Sequence, residues 1–252
     1  MATTIDVPHG GYRYIPGVFQ YSAGVRALAG FRIERVEFMR PMQLAAGFTC
    51  IERYLLGHGL PLAAFCACEL RSPTPFTDAG FVAFNRLYVG TLERWGVMRD
   101  DKNPVARSNV CPEQYKPSEP SFHAFCFARP ATDSPGGFVI SGSGEAEEGH
   151  ASYRERTVRF GDTSPAGLRA KAVFVLNRME QRMAAVDAGW GDTTAAQVYT
   201  VYDPYPFLAD EIVLRGAAQH GLTWYFARPP VVGLDYEMDC RGVPVEHRVS
   251  VE

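Results

Sequence analysis

The chain has 252 residues, 46% of them hydrophobic and 21% charged, so it can bury the core of one large domain or two smaller ones. Its formal net charge of -3 excludes the basic excess that is typical of proteins that bind nucleic acid or anionic membranes. We therefore expect its partners to be small molecules or proteins.

No segment of the sequence predicts a membrane span or a secretion signal. Residues 1–14 contain neither a basic stretch nor an apolar core. Elsewhere no segment reaches the roughly 18 uninterrupted apolar residues that a bilayer requires. The sequence therefore predicts a cytoplasmic protein without a membrane partner.

The sequence also lacks the motifs of common cofactor and metal sites. Its six cysteines have no paired Cys-x-x-Cys spacing, so we interpret them as small buried residues. The histidines lack metal-ligand spacing, and no nucleophile elbow or dinucleotide fingerprint is present. We expect no metal and no cofactor.

The first half of the chain is typical of alternating strands and helices. In chain order it predicts strands at residues 12–18, 20–28 and 31–38, a helix from Pro41 to Gly57 or Gly59, a strand at 63–70, a helix at 77–95, and strands at 105–110 and 122–128. Apolar residues at three-and-four spacing predict both helices, with Leu44, Phe48, Ile51 and Leu55 in the first and Phe81, Phe84, Tyr88 and Leu92 in the second.

A Pro- and Gly-rich stretch at residues 131–137 predicts a linker, after which a similar order of elements follows. It consists of a strand at residues 138–141, a hairpin-like stretch through Arg159, a helix from Ser164-Pro165 to Gly189, a strand at 195–202, a helix at 207–220, and strands at 224–229 and 235–243. Gly142-Ser143-Gly144-Glu145 lacks the lysine of a phosphate loop.

Two stretches of the sequence match each other in their order of elements. Residues 63–107 and 195–228 each contain a strand, a Pro-x-Pro-Phe turn, a helix-like run and an Ala-Arg pair that ends in Arg107 or Arg228. We interpret them as copies of one unit, at residues 1–130 and 138–252. Each copy predicts an α+β, ferredoxin-like or chorismate-mutase-like fold with two helices on one face of a mixed sheet. Because the other face needs covering, we expect a homo-oligomer, a trimer or a multiple of one.

Short motifs in both copies resemble those of one family. The first copy contains Tyr21-Ser22, a second-helix Asn85 and the strand Ala106-Arg107-Ser108, while the second contains Phe138-Val139-Ile140-Ser141-Gly142 and Tyr236-Glu237-Met238-Asp239. These motifs are similar to those of the reactive-intermediate deaminase superfamily, also called Rid, YjgF or UK114. The chain looks like a tandem, two-copy member, and the chorismatases look like its nearest fused relatives.

The resemblance implies a cofactor-free site between adjacent units. In that family an arginine holds a substrate carboxylate, and a glutamate or a backbone carbonyl positions water against an imine carbon. By this comparison Arg107 or its counterpart Arg228 binds the carboxylate and Glu237 is catalytic. Asn85, Ser108 and Tyr21 belong to the same motifs and are further candidate substrate-binding residues.

The two copies also depart from the family pattern. The first copy has Phe122 or His123 where the glutamate belongs, and the second copy has no clear counterpart of Asn85. Independently of the family, the planar guanidinium of Arg107 suits bidentate recognition of a carboxylate. Either the site is composite or the ancestral function has changed.

Three hypotheses for the function follow. The first is hydrolytic deamination of an unsaturated amino or imino acid, such as an aminomuconate-type ring-cleavage product, with Glu237 transferring protons. The second is a chorismatase-like hydrolase acting on an enol ether, with Glu145 as the acid. The third is a non-catalytic ligand-binding or interaction protein. Release of ammonia identifies the first, and release of pyruvate from chorismate identifies the second.

Overall fold

The computed structural model describes residues 3–132, 136–149 and 152–250, and it contains two mixed sheets with helices packed against them. The α+β class that the sequence predicted is confirmed. Residues 133–135, within the predicted linker at 131–137, lie outside the described residues.

The elements have the following bounds. The strands are β1 (Ile5–Val7), β2 (Tyr12–Ile15), β3 (Gly24–Ala27), β4 (Phe31–Gln43), β5 (Phe65–Arg71), β6 (Ala106–Pro112), β7 (Ser121–Pro130), β8 (Phe138–Gly144), β9 (Ala195–Tyr199), β10 (Leu222–Tyr225), β11 (Ala227–Arg228), β12 (Glu237–Gly242) and β13 (Val245–Val249). The helices are α1 (Leu44–Gly57), α2 (Asp78–Arg94), α3 (Pro165–Ala185) and α4 (Tyr205–Phe207). Short 3₁₀ turns lie at Pro8–Gly10, Leu62–Ala64, Arg154–Arg156 and Trp190–Asp192.

The three long helices form where apolar stripes and capping residues predict them. The Thr77 hydroxyl accepts a hydrogen bond from the Gly80 amide at the start of α2, and Ser164 caps α3 in the same way with Pro165 in its first turn. Ile51 of α1 is fully buried, as its stripe requires. The predicted helix from Pro41 begins instead at Leu44, because β4 continues to Gln43.

The helix predicted at residues 207–220 is wrong. Helix α4 has only three residues and continues into a π-helical turn at Leu208–Val213, after which the chain forms turns up to residue 220. Pro204 and Pro206 lie at the start, where proline is tolerated, but Gly216 has a φ of 89°, which interrupts a helical path before residue 220.

Both sheets repeat one pattern of strand pairing. The seven-stranded sheet has the order β1-β2-β3-β8-β12-β9-β10, and the six-stranded sheet has the order β11-β6-β5-β7-β4-β13. In each of them a parallel pair, β9–β10 or β5–β6, is followed by two antiparallel pairings, β9–β12–β8 or β5–β7–β4.

Each sheet also contains strands from the opposite half of the chain. Near the N-terminus β3 pairs with β8, with Gly24 opposite Ile140. At the other end of the chain β13 runs parallel to β4, with Val245 opposite Glu34. In addition, β11 pairs with the edge of β6. The halves are thus joined by backbone hydrogen bonds in both sheets.

Three apolar clusters lie between the helix and sheet layers of the fold. One lies between α1, α2 and the six-stranded sheet, and a second lies between α3, α4 and the seven-stranded sheet. The third contains Tyr12, Val25, Ile33 and Cys126 and lies between the two sheets. The two sheets therefore pack face to face with the helices outside. This packing places the start of β12, and its neighbour β8, against β6 of the other sheet.

Candidate active site

A cavity with about 30 Å³ open to the centre of a water molecule lies where the two sheets and α2 meet. Its lining comes from both halves of the chain and consists of Tyr21, Phe81, Arg107, Asn109, Gly142, Gly144, Ala146, Glu148, Tyr153, Pro230, Val231, Leu234 and Glu237. Three residues that the sequence predicted for the site, Tyr21, Arg107 and Glu237, are thus brought together.

Arg107 reaches the cavity from β6 and is 2% exposed. Its Nη2 donates to Asn85 Oδ1 at 2.6 Å, and Asn85 Nδ2 in turn donates to the Phe81 carbonyl at 2.7 Å, within α2. Rings of Tyr21 and Tyr88 lie 5.2 and 4.7 Å from the guanidinium carbon. Asn85 therefore does not line the cavity but fixes the direction of the arginine.

The Arg107 guanidinium carries an unpaired donor. Its Nη1 has no hydrogen-bond partner, and no carboxylate forms an ion pair with it, among the residues that the structure describes. A buried cation without a counter-ion is costly, so its persistence favours a site that receives an anion. Among the described lining residues, Arg107 is the only one with a cationic side chain.

Glu237 faces the same cavity from the first position of β12 and is 4% exposed. Burial, followed by the carboxylates of Asp239, Glu145 and Glu148, raises the pKa of Glu237 well above its ordinary value, and Arg107 opposes this shift. The protonated form is thus favoured, which suits a general acid. Its Oε1 occupies the space that a side chain on Gly142 would need.

Glu148 and Tyr153 complete the polar wall. The buried Arg182 donates to Glu148 Oε1 at 2.7 Å and to the Ser141 carbonyl at 3.1 Å. Its charge is therefore paired, unlike that of Arg107. Burial, and then the carboxylates of Glu148 and Glu237, raises the pKa of Tyr153, so this phenol remains a hydrogen-bond donor.

Glu145 does not line the cavity. Its carboxylate is fully buried and accepts the backbone N–H groups of Asp235 at 2.6 Å and Tyr236 at 3.1 Å, with Lys171 Nζ at 3.5 Å. Burial is the main cause that raises the pKa of Glu145 to about 7. These contacts hold the segment that leads into Glu237, and the role of Glu145 as an acid stays a prediction.

Ser108 and Arg228 also lie away from the cavity lining. The Ser108 hydroxyl donates to the Asp239 carboxylate between the sheets, because it alternates with Arg107 along β6. Arg228 is partly exposed on β11 and forms an ion pair with Glu113. Their substrate-binding roles stay predictions.

Sequence reasoning did not assign a role to Asn109, Glu148 or Tyr153. Asn109 follows Arg107 by two residues on a strand, so the period of two places both side chains on one face. That spacing was the available signal. Glu148 and Tyr153 belong to a stretch with little regular structure, and no pattern in the sequence indicated their direction.

Two features are absent from the residues that the structure describes. No group of three or more His, Cys, Asp or Glu residues is placed to hold a metal ion there. Nor does that part of the chain contain a helix of the length and apolarity needed to cross a bilayer.

Known proteins resemble the chain over most of its length. The family model described as 2-aminomuconate deaminase CnbZ matches residues 4–247. A 2-amino-5-chloromuconate deaminase from Comamonas testosteroni is 52% identical over 235 residues, which are 92% of this chain and 94% of that protein.

Solved structures resemble the chain more weakly. A member of the YjgF/YER057c/UK114 family from Mycobacterium tuberculosis matches with a TM-score of 0.30 and 14% identity, over 46% of this chain and 82% of its own. A cyanuric acid hydrolase matches with a TM-score of 0.43 and 11% identity, over 87% of this chain and 69% of its own.

Proposed function

The chain belongs to the family described as 2-aminomuconate deaminase CnbZ, and from this premise we propose how its cavity removes an amino group. The protein is a deaminase of aminomuconate-type intermediates, an enzyme acting on a C–N bond. The deaminase hypothesis is thereby confirmed, and neither the chorismatase-like hydrolase nor the non-catalytic binding protein has comparable support.

Arg107 is the proposed carboxylate anchor. An aminomuconate is a six-carbon unsaturated dicarboxylate whose amino group is on the carbon next to one carboxylate. That carboxylate supplies the counter-ion that the buried Arg107 Nη1 lacks, while Asn85 keeps the guanidinium in place. The unpaired guanidinium in a cavity shared with a carboxyl group of raised pKa is the observation that carries the proposal.

Glu237 is the proposed proton donor and acceptor. It begins protonated and gives its proton to the β-carbon of the enamine, so that the C=C bond is replaced by the C=N bond of an iminium. The resulting carboxylate takes a proton from a water molecule whose oxygen bonds to the iminium carbon. Glu237 then protonates the nitrogen, the C–N bond breaks, and the proton left on the new carbonyl oxygen returns to Glu237. One water is consumed and one ammonia is released.

This scheme needs no cofactor, and exhaustive chelation should leave turnover unchanged.

We further propose that the repeated strand pairing reflects two tandem Rid-like units at residues 1–130 and 138–252, joined at 131–137. Their site is composite, because Arg107 comes from one unit and Glu237 from the other. The predicted cytoplasmic location and a closed homo-oligomer, a trimer or a multiple of one, belong to the same proposal.

The test is ammonia release. The purified protein is supplied with 2-aminomuconate or 2-amino-5-chloromuconate made in situ, and ammonia is measured against a Glu237→Gln control. Stoichiometric ammonia with the wild type, and a loss of at least a hundredfold with the variant, supports the proposal. Wild-type protein that leaves both compounds unchanged, or that releases pyruvate from chorismate, contradicts it.

A further inference from the structure

The Asn109 side chain presents a second unpaired donor to the cavity. Asn109 is 3% exposed, and its Oδ1 accepts the Ser72 hydroxyl at 2.9 Å. This contact directs the amide so that Nδ2 is left without a hydrogen-bond partner among the described residues. Leaving a buried N–H unsatisfied costs about 1–3 kcal/mol, so the structure retains a donor that a ligand would satisfy.

Asn109 and Arg107 lie at different places along the cavity. Both belong to β6 and are two residues apart, so their Cα atoms lie about 7 Å from each other with the side chains on one face. The wall near Asn109 is apolar. Strand β11 runs antiparallel to β6, with Arg228 opposite Cys111, so the residues that follow Arg228 run toward Asn109, and Pro230 and Val231 among them line the cavity.

We propose that Asn109 is a specificity-determining residue whose Nδ2 donates to the second carboxylate of the substrate, the one that Arg107 does not bind. The inference rests on the proposed function and extends it to the far end of the ligand. Four carbons separate the two carboxyl carbons of a muconate, a span of the same order as the spacing of these two residues on β6. A neutral amide suits this end, since it adds no charge beside Glu237 and still makes a strong hydrogen bond to an anion.

Two non-reacting probes separate the two ends. Muconate has a carboxylate at each end of a six-carbon diene, and sorbate has the same diene with one carboxylate replaced by a methyl group. Binding of both is measured by calorimetry to the full-length wild type, to Asn109→Ala and to Asn109→Asp. Asn177→Ala on the exposed face of α3 is the matched control.

We expect the wild type to bind muconate at least tenfold more tightly than sorbate. Asn109→Ala should remove most of this preference while leaving sorbate affinity within about threefold. Asn109→Asp keeps the shape and the Ser72 contact but opposes a second carboxylate, so it should weaken muconate about a hundredfold and sorbate much less. Asn177→Ala should bind both probes like the wild type.

Equal weakening of the two probes by Asn109→Ala, in protein with an unchanged melting temperature, would overturn the inference. So would a wild type that binds sorbate as tightly as muconate. Ammonia release is measured on the same preparations, so the two proposals fail separately. A wild type that releases no ammonia contradicts the deaminase mechanism, whereas active protein with equal losses contradicts only the role of Asn109.

Discussion

Arg107 and Glu237 face one cavity from different sheets, and no ion pair joins them. Had they paired, the arginine would hold the carboxylate ionised and neither group would be free for a ligand. Their separation instead leaves a cation that lacks a counter-ion and a carboxyl group whose pKa is raised. An incoming carboxylate satisfies the first and leaves the second able to move protons.

The first prediction compares the two arginines. Arg107→Lys keeps the charge but loses the planar fork and the contact with Asn85, so kcat/KM should fall about a hundredfold. Arg228→Lys is the matched control, because Arg228 pairs with Glu113 outside the cavity lining and should keep near-wild-type kinetics. Steady-state ammonia release checks both. A fully active Arg107→Lys beside an inactive Arg228→Lys would show that Arg228 is the anchor.

The second prediction concerns the proton shuttle. Glu237→Gln keeps size and hydrogen bonding but removes the titrating group, so kcat should fall by about 10²–10⁴ while muconate affinity changes little. Because the raised pKa of Glu237 favours the acid, wild-type activity should decline as pH rises through that pKa. The declining limb should be absent from the residual activity of the variant. If the variant has the wild-type pH profile, another group transfers the proton.

The third prediction tests the glycine beneath Glu237. A Cβ on Gly142 would overlap Glu237 Oε1 and press on Ser108 Cβ at 3.2 Å. Gly142→Ala should therefore displace the carboxyl group and lower kcat at least tenfold, with a stability loss of about 1–3 kcal/mol. Gly90→Ala in α2 is the control, since its nearest contact is 3.9 Å and a helical alanine is favourable. Wild-type turnover by Gly142→Ala would show that the site tolerates a shifted Glu237.

The fourth prediction separates the two glutamates that the sequence proposed as catalytic. The pKa of Glu145 is raised from 4.5 to about 7, so the folded state binds this proton more tightly than the unfolded state does. Its contribution is therefore fully present below pH 4.5 and is lost as pH rises through 7, by about 3 kcal/mol.

Glu145→Gln should flatten this part of the stability profile, measured by urea denaturation at pH 5 and pH 7.5 against the wild type. Because Glu145 binds the amides of Asp235 and Tyr236 rather than the cavity, ammonia release should stay within about fivefold of wild type. A kinetic loss as large as that of Glu237→Gln would instead assign Glu145 the acid role.

The fifth prediction concerns assembly. Strand β10 ends the seven-stranded sheet, and nearby Trp224 and Phe226 are 47% and 52% exposed. An open edge beside exposed aromatic rings favours association, so light scattering at micromolar concentration should give a trimer or a multiple of one. Phe226→Glu should shift it toward smaller species, whereas Leu56→Glu, exposed on α1, should not. A wild type that remains monomeric would contradict the assembly.

Apolar periodicity in the sequence predicted the three long helices, whose formation depends on local spacing of residues. The stripes of α1, α2 and α3 are each longer than three turns, so burial of one face decides their structure. The helix predicted at residues 207–220 did not form as a continuous α-helix, because Gly216 adopts a φ of 89° within it. Strand β13 was missed because its stability comes from pairing with β4, some two hundred residues away, and no local pattern records such a partner.

The site was predictable only where motif and strand alternation agree. Arg107 and Glu237 were assigned through family motifs, and both line the cavity. Glu145 follows β8 directly, and strand alternation directs its side chain to the face opposite the one on which Gly142 and Gly144 line the cavity. By the same alternation the side chain of Ser108 points between the two sheets. The sequence motifs thus located candidate residues but did not predict whether their side chains point into the cavity.

The crossed pairings of β3 with β8 and of β13 with β4 bear on how the chain is made. During synthesis β3 emerges long before its partner β8, and β4 emerges about two hundred residues before its partner β13. Until then each sheet has an open edge, which is where nascent chains associate wrongly. Folding should consequently be slow and reach completion only after β13 has been synthesised. If the two halves of the chain were expressed as separate fragments, each would expose unpaired strand edges, and each would need the other in order to fold.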